Sequence, residues 1–316
     1  MSRMTRLALL LALAALAGAP AALADGGPIY SLQGGSGIAA PTRGLHYVAI
    51  PTSTGDTTLV SIARDGTVES WMPLAGSFGI PFVTSRDAGG LTRDGGTLFL
   101  QSPTYGGGPT STSFVRVNTR SFTVEDSFVL RGTFAFDALS PDGQRLYLTQ
   151  HLDANNLSRY VVRAYDLVHD RLLPGRIADR TQHSWVMQGD ALTRTVSPGG
   201  RWVYTLYDNP GGYPFIHALD TVRGLAHCIG LPWRSTDQAA LANLVLGVQG
   251  RRLAVHWRSG RPWLNVDTHT WRVTPAHGGG GFPWLWLGVG LAAAAAGLVA
   301  ARRLRLPKGT LSPRPA

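Results

Sequence analysis

Ser140-Pro141-Asp142-Gly143-Gln144-Arg145-Leu146-Tyr147-Leu148-Thr149-Gln150 holds a tight turn followed at once by an alternating strand. Pro fixes φ at the start of such a turn, Asp bonds the backbone two residues on, and Gly takes the positive φ that closes it. Working outward, Ser197-Pro198-Gly199-Gly200-Arg201-Trp202-Val203-Tyr204-Thr205 repeats the arrangement, and Thr92-Arg93-Asp94-Gly95-Gly96-Thr97-Leu98-Phe99-Leu100 is a third copy. Weaker copies centre on Gly44 and Gly250. The aligned glycines are therefore 44, 95, 143, 200 and 250, spaced by 51, 48, 57 and 50 residues.

A second unit recurs about 20 residues after each glycine. It reads strand, polar turn, strand, with the turn opened by Asn118, Asp166, Asp220 or Asp267 and, more loosely, at Asp65. Four short strands per unit of roughly 50 residues is the pattern of a propeller blade, whose two apolar faces need a neighbour on each side. The expected fold is all-β: a β-propeller of about five four-stranded blades between about Gly37 and Pro275, with Pro28 to Gln33 as a closing strand. The run at 140–150, and less closely those at 92–101 and 197–207, resembles the YVTN-type family of β-propeller repeats. That resemblance implies the architecture and frequent export. It implies no single activity.

The ends predict a membrane topology. Arg3 and Arg6 precede an unbroken apolar run, Leu7 to Ala17, and Ala22-Leu23-Ala24 fits the small-x-small cleavage rule, so residues 1–24 read as a signal peptide. Residues 25–277 are then an extracytoplasmic propeller domain and Gly278 to Gly281 a flexible linker. Phe282 to Ala301 is a charge-free stretch of 20 residues, about 30 Å as a helix at ~1.5 Å per residue, which spans a hydrocarbon core. Trp284 and Trp286 stand at its outer end, and Arg302, Arg303 and Arg305 open a basic cytoplasmic tail, 302–316. The expectation is a single-pass cell-membrane protein with its N-terminal domain outside.

Net charge is +10, but Arg3, Arg6, Arg302, Arg303, Arg305, Lys308 and Arg314 lie in the end segments, where no acid offsets them. Taking these seven from +10 leaves +3 for the middle, which is no nucleic-acid footprint. Cys228 is the sole cysteine, in the alternating stretch Ala226-His227-Cys228-Ile229, and reads as a small buried hydrophobe. The nine histidines show no metal-ligand spacing, so no metal and no cofactor is expected. Gly34-Gly35-Ser36-Gly37 is not a nucleophile elbow, and Gly106-Gly107-Gly108 precedes no helix that would cradle a phosphate.

Asp142, Asp166, Asp220 and Asp267 are accounted for by their turns. Asp137 and Asp190 fall on or beside innermost strands, which line the channel of a propeller. They are the catalytic candidates if the chain is an enzyme. Connections between strands two and three, and between blades, are the longer ones, and long loops on a rigid scaffold are where binding residues sit. They carry the ligand-binding candidates Tyr105, His151, Asp153, Asn155, His183, Trp185, Tyr213, Trp233 and Asp237. Three readings follow: a membrane-tethered module binding an unidentified protein or carbohydrate, a lactonase-like propeller hydrolase with its site in the channel, or a structural surface protein. Convergence of Asp137, Asp190 and a histidine in one pocket would favour the hydrolase.

Overall fold

A computed structural model describes residues 31–104, 111–153, 156–179, 181, 186–209, 212–235 and 237–276. The signal peptide, glycine linker, membrane helix and basic tail expected above lie outside the described residues. Among the described residues no helix is long and apolar enough to cross a membrane.

The chain lays down five larger antiparallel sheets in sequence order, besides a two-stranded one. A short β1 (Ser31–Leu32) comes before the first sheet, which is β2 (Ile38–Ala40), β3 (Leu45–Pro51), β4 (Thr57–Ala63) and β5 (Val68–Leu74). After β6 (Ile80–Pro81), the second sheet is β7 (Thr97–Gln101), β8 (Ser111–Asn118) and β9 (Thr123–Arg131). The third is β10 (Thr133–Leu139), β11 (Arg145–His151), β12 (Arg159–Asp166) and β13 (Arg171–Leu172), with β14 (Met187–Gln188) also pairing β12. The fourth is β15 (Ala191–Val196), β16 (Trp202–Tyr207), β17 (Phe215–Asp220) and β18 (Leu225–Gly230). A 3-10 turn, Ala239–Asn243, leads into the fifth: β19 (Leu244–Gln249), β20 (Arg252–Trp257), β21 (Pro262–Asp267) and β22 (Val273–Pro275).

Both repeated turns form as their residues dictate. Gly143 has φ +69°, and the aligned glycines 44, 95, 200 and 250 are likewise positive. The side chains of Asn118, Asp166, Asp220 and Asp267 each accept the backbone N–H groups two and three residues on. The residue four on, Phe122, Asp170, Gly224 or Trp271, then takes positive φ to re-enter the sheet.

Two sheets depart from the four-strand expectation. In the second, the inner strand is interrupted. Leu91 bridges Leu98 and Gly79 bridges Gln101, while 80–88 loops out between them, turning at Gly90 (φ +90°). In the third, the outer strand is broken into Arg171–Leu172, Ile177 and Met187–Gln188, all on the same edge of β12. Pro174, which has no N–H, and Gly175 at φ +83° cause the break. The expected closing strand also pairs elsewhere: Ser31 and Leu32 pair with Pro81 and Ile80.

The sheets stack face to face because successive side chains of each second strand point to opposite neighbours. Leu146 and Leu148 pack against the second sheet, and Tyr147 between them packs against the fourth. Likewise Val203 and Tyr207 face the third sheet while Tyr204 and Leu206 face the fifth. Apolar clusters join the first sheet to the second, the second to the third, the third to the fourth and the fourth to the fifth. Among the described residues no such cluster joins the fifth to the first.

Candidate functional site

The two acids expected to line a channel differ in their surroundings. Asp137 sits at a bulge in β10, where the pairing skips from Phe136 to Ala138, and is 2% exposed. Arg194 of β15 donates to its main-chain oxygen at 2.7 Å, and the guanidinium is 4.0 Å from its carboxylate. Burial raises the Asp137 carboxyl and Arg194 at that distance only partly offsets it. Asp190 precedes β15 and is exposed, its N–H donating to the Asp208 carboxylate at 2.7 Å. Its own carboxyl is raised, first by the protein crowded around it and then by the Asp208 charge. No histidine bonds to either acid among the described residues.

The long-loop candidates scatter. Tyr105, Asn155, His183 and Trp185 lie outside the described residues. Asp153 and Tyr213 are exposed. His151 is the last residue of β11 and buried, its Nδ1 2.6 Å from the oxygen of Leu157. Burial pushes its imidazole down to about 4. Trp233 is 8% exposed and packs with Trp257 and Trp263 beneath the fifth sheet, so its position is that of a core residue. Asp237 accepts the N–H of Ala240 and holds the start of the 3-10 turn.

The large cleft among the described residues lies on the opposite face, at the short turns. It has a volume of about 630 Å³ and opens between the second and third sheets. Its rim is Thr92-Arg93-Asp94 from one turn and Pro141-Asp142-Gly143 from the next, with Arg116 of β8, Glu125 of β9 and Phe99 in its wall. Arg116 pairs with Glu125 at 3.4 Å, and Asp94 with Arg120 at 3.3 Å. The exposed Arg93 has no ion-pair partner among the described residues. Asp94 is held below the usual carboxylate range, first by the Thr92 hydroxyl and then by the Gly96 N–H. Asp142 is held low in the same way, first by the Ser140 hydroxyl and then by the Gln144 N–H. These acids remain anions committed to their turns and are poor proton donors.

The cleft was not foreseen from the sequence. Its signal is a charge where a blade covered on both faces would be apolar: Arg116 and Glu125 interrupt the apolar rows of β8 and β9 where the two sheets part.

Neither a family model nor a curated protein sequence matches this chain, and so none supports the YVTN-type resemblance. Solved structures that resemble it include a dihydro-heme d1 dehydrogenase, NirN, in complex with DHE (16% identity, TM-score 0.42, 74% of this chain and 45% of that one). A puromycin hydrolase is another (17%, 0.46, 81% and 40%), as is the Dos1 propeller (8%, 0.42, 75% and 56%). The chain thus spans about half the length of these structures. Likenesses this distant carry no argument about fold or function. The five successive blade-like sheets stand on their own geometry.

Proposed function

We propose that this chain is a membrane-anchored extracytoplasmic binding module that takes a mixed-charge ligand, a polypeptide segment, in the cleft between its second and third sheets. The observation that carries the reading is the cleft itself. Its volume of about 630 Å³ is of the size that holds small ligands. It offers a guanidinium at Arg93 and carboxylates at Asp94 and Asp142, which suits partners bearing both signs of charge. Its acids are fixed as anions by their turns, and its one hydroxyl bonded to a carboxylate, Thr92 on Asp94, also accepts the Thr97 N–H within its turn, which favours binding over turnover. The anchor is the apolar run 282–301, with residues 25–277 outside.

The test uses the full chain in mild detergent on arrays of short peptides and of glycans. Mixed-charge peptides should bind, and Arg93→Glu should weaken them at least tenfold. Glycan binding untouched by Arg93→Glu would move the site to the long loops. Turnover of lactones or esters that Asp137→Asn abolishes would establish the hydrolase instead. For the anchor, protease added outside intact cells should remove residues 25–277 and spare the 302–316 tail. Protection of the ectodomain refutes that orientation.

A further inference from the structure

At their turn ends, the junctions between successive sheets are latched by different devices. At the first, Arg43 reaches across to the oxygen and the hydroxyl of Thr119 at 2.7 and 2.8 Å, and Phe122 stacks on Tyr47 at 6.4 Å. At the third, Arg145 donates to the oxygen of Val222 at 3.0 Å, and the Tyr147 hydroxyl donates to that of Thr221 at 2.7 Å. At the fourth, the rings of Trp202 and Trp271 meet edge-on at 5.1 Å. At the second, no hydrogen bond or ion pair among the described residues crosses from the turn 92–96 to the turn 140–144. The cleft of about 630 Å³ lies there.

Two repeat positions account for the difference. The ring that faces the next sheet is Tyr47, Phe99, Tyr147 or Tyr204, and the residue at which the next sheet's turn ends is Phe122, Asp170, Gly224 or Trp271. At the second junction both lack a latch. Phe99 has no hydroxyl, and it and Leu167 join only an apolar cluster. Asp170 brings no ring, and its carboxylate is committed within its own sheet, where it accepts the Tyr165 hydroxyl.

The same junction is pinned at its other end. Gln101, fully buried at the end of β7, donates to the oxygen of Phe134 at 3.2 Å and accepts the Phe136 N–H at 2.8 Å. The Phe128 and Tyr165 rings stack across the junction at 4.3 Å. The two sheets therefore meet as a wedge, closed at the loop end and parted at the turns, with Phe99 in the wall of the gap.

We propose that Phe99 and Asp170 are positioning residues for the ligand cleft: by leaving the turn end of the second junction unlatched they hold the cleft open, and that opening sets its affinity for a polypeptide. The inference rests on the cleft being the peptide site. Phe99→Tyr adds the hydroxyl that would reach the oxygen of Leu167 as Tyr147 reaches that of Thr221. The turn 92–96 is then drawn onto the turn 140–144, and Arg93 and Asp142 face each other instead of a ligand.

The probes are fluorescent peptides of alternating Glu and Arg, and a pair of spin labels at Ser121→Cys and Gln144→Cys in a Cys228→Ser background, all with the full chain in mild detergent. Phe99→Tyr should shorten and narrow the distances between the labels, raise the urea midpoint and weaken the peptide at least tenfold. Asp170→Phe, which copies Phe122, should shorten the distances and weaken the peptide in the same way, and it decides the matter if Phe99→Tyr does not fold. A purely structural role for Phe99 predicts the raised midpoint with unchanged peptide affinity, and that result overturns the proposal. Unchanged label distances in both variants overturn it as well. Failure of the peptide reading looks different. In that case the wild-type chain binds none of the peptides, or Arg93→Glu binds them as well as the wild type does, whatever the labels report, and the proposal falls with it.

Discussion

The Tyr147 hydroxyl donates to the main-chain oxygen of Thr221 at 2.7 Å, tying β11 of the third sheet to the turn after β17 of the fourth. The same pair of positions recurs at other junctions. At the first, Tyr47 occupies the matching place and Arg43 bonds both its hydroxyl and the oxygen of Thr119. At the fourth, Tyr204 and Thr268 hold the matching positions, and the Thr268 hydroxyl donates to the main-chain oxygen of Arg251 instead. At the second junction the matching residues are Phe99 and Leu167. Hydroxyl and threonine are both absent there, and an apolar contact replaces the hydrogen bond. In the fifth sheet the matching position is Ala254, which carries no ring to reach a sixth neighbour.

Tyr147→Phe should therefore keep the packing and lose the tie. It leaves the Thr221 oxygen without its donor in a buried turn, which costs about 1–3 kcal/mol. Urea melts of the chain in mild detergent should show a lower midpoint at unchanged slope. No change in midpoint would mean that water replaces the hydroxyl.

Asp137 and Arg194 make a second junction between the third and fourth sheets, buried on both sides. Arg194→Ala strands the buried Asp137 carboxyl and should cost on the order of 3–5 kcal/mol, whereas Asp137→Ala keeps the main-chain oxygen that accepts from Arg194 and should cost clearly less. The double change Asp137→Leu/Arg194→Met should lie much nearer the wild type. Because burial raises the Asp137 carboxyl in the folded chain, its contribution to stability is complete below the unfolded carboxyl range. It fades as pH rises through the raised value. Melting the single and double variants across pH 3 to 8 on the order of one unit apart checks both points.

The turns and strands were legible because local chemistry fixes them. Gly143 needs positive φ, and Asp166 or Asp220 needs two amide donors, whatever surrounds them. Sheet order followed from chain order. The closing role expected of residues 28–33 was not legible, since pairing with Ile80 and Pro81 depends on a loop whose path no local residue sets. The place of Trp233 was hidden for a related reason. It stands in a stretch without period, and only the packing with Trp257 and Trp263 shows it to be core. Arg116 was visible but uninformative until its strand was known to part from the third sheet.

His151 and His217 are both buried and held down to about 4, well below their ordinary 6.5. A base with a depressed folded value supports the fold above its unfolded pKa. That support is lost as pH falls from about 6.5 through about 4. Near pH 5 each should take up one proton on unfolding, so the pair makes stability fall by about 2.7 kcal/mol per pH unit. Denaturant melts at pH 7, 6 and 5 on the order of one unit apart read this slope directly. A flat profile over that range would mean that the two rings are solvated in the folded chain.

The repeat itself is open to test at three neighbouring residues. Gly143 has φ +69°, and a Cβ there would meet only the Thr92 methyl at 3.8 Å, an ordinary contact. The cost of Gly143→Val is thus backbone strain alone, about 1–3 kcal/mol. Leu146 is fully buried between the second and third sheets, and Leu146→Ala leaves a cavity worth about 2–5 kcal/mol. Gln144 lies exposed between them, and Gln144→Ala should stay within about 0.5 kcal/mol. Gly90→Val is the contrasting case. Its backbone is also at positive φ, and its added Cβ would fall on the carbonyl oxygen of Phe99, so strain and collision combine. Thermal melts should rank Gln144→Ala mildest, Gly143→Val next and Leu146→Ala harsher, with Gly90→Val worse than Gly143→Val. Were Gly143→Val as harmless as Gln144→Ala, the turn would not need its glycine, and the alignment of the five sheets on that residue would fail.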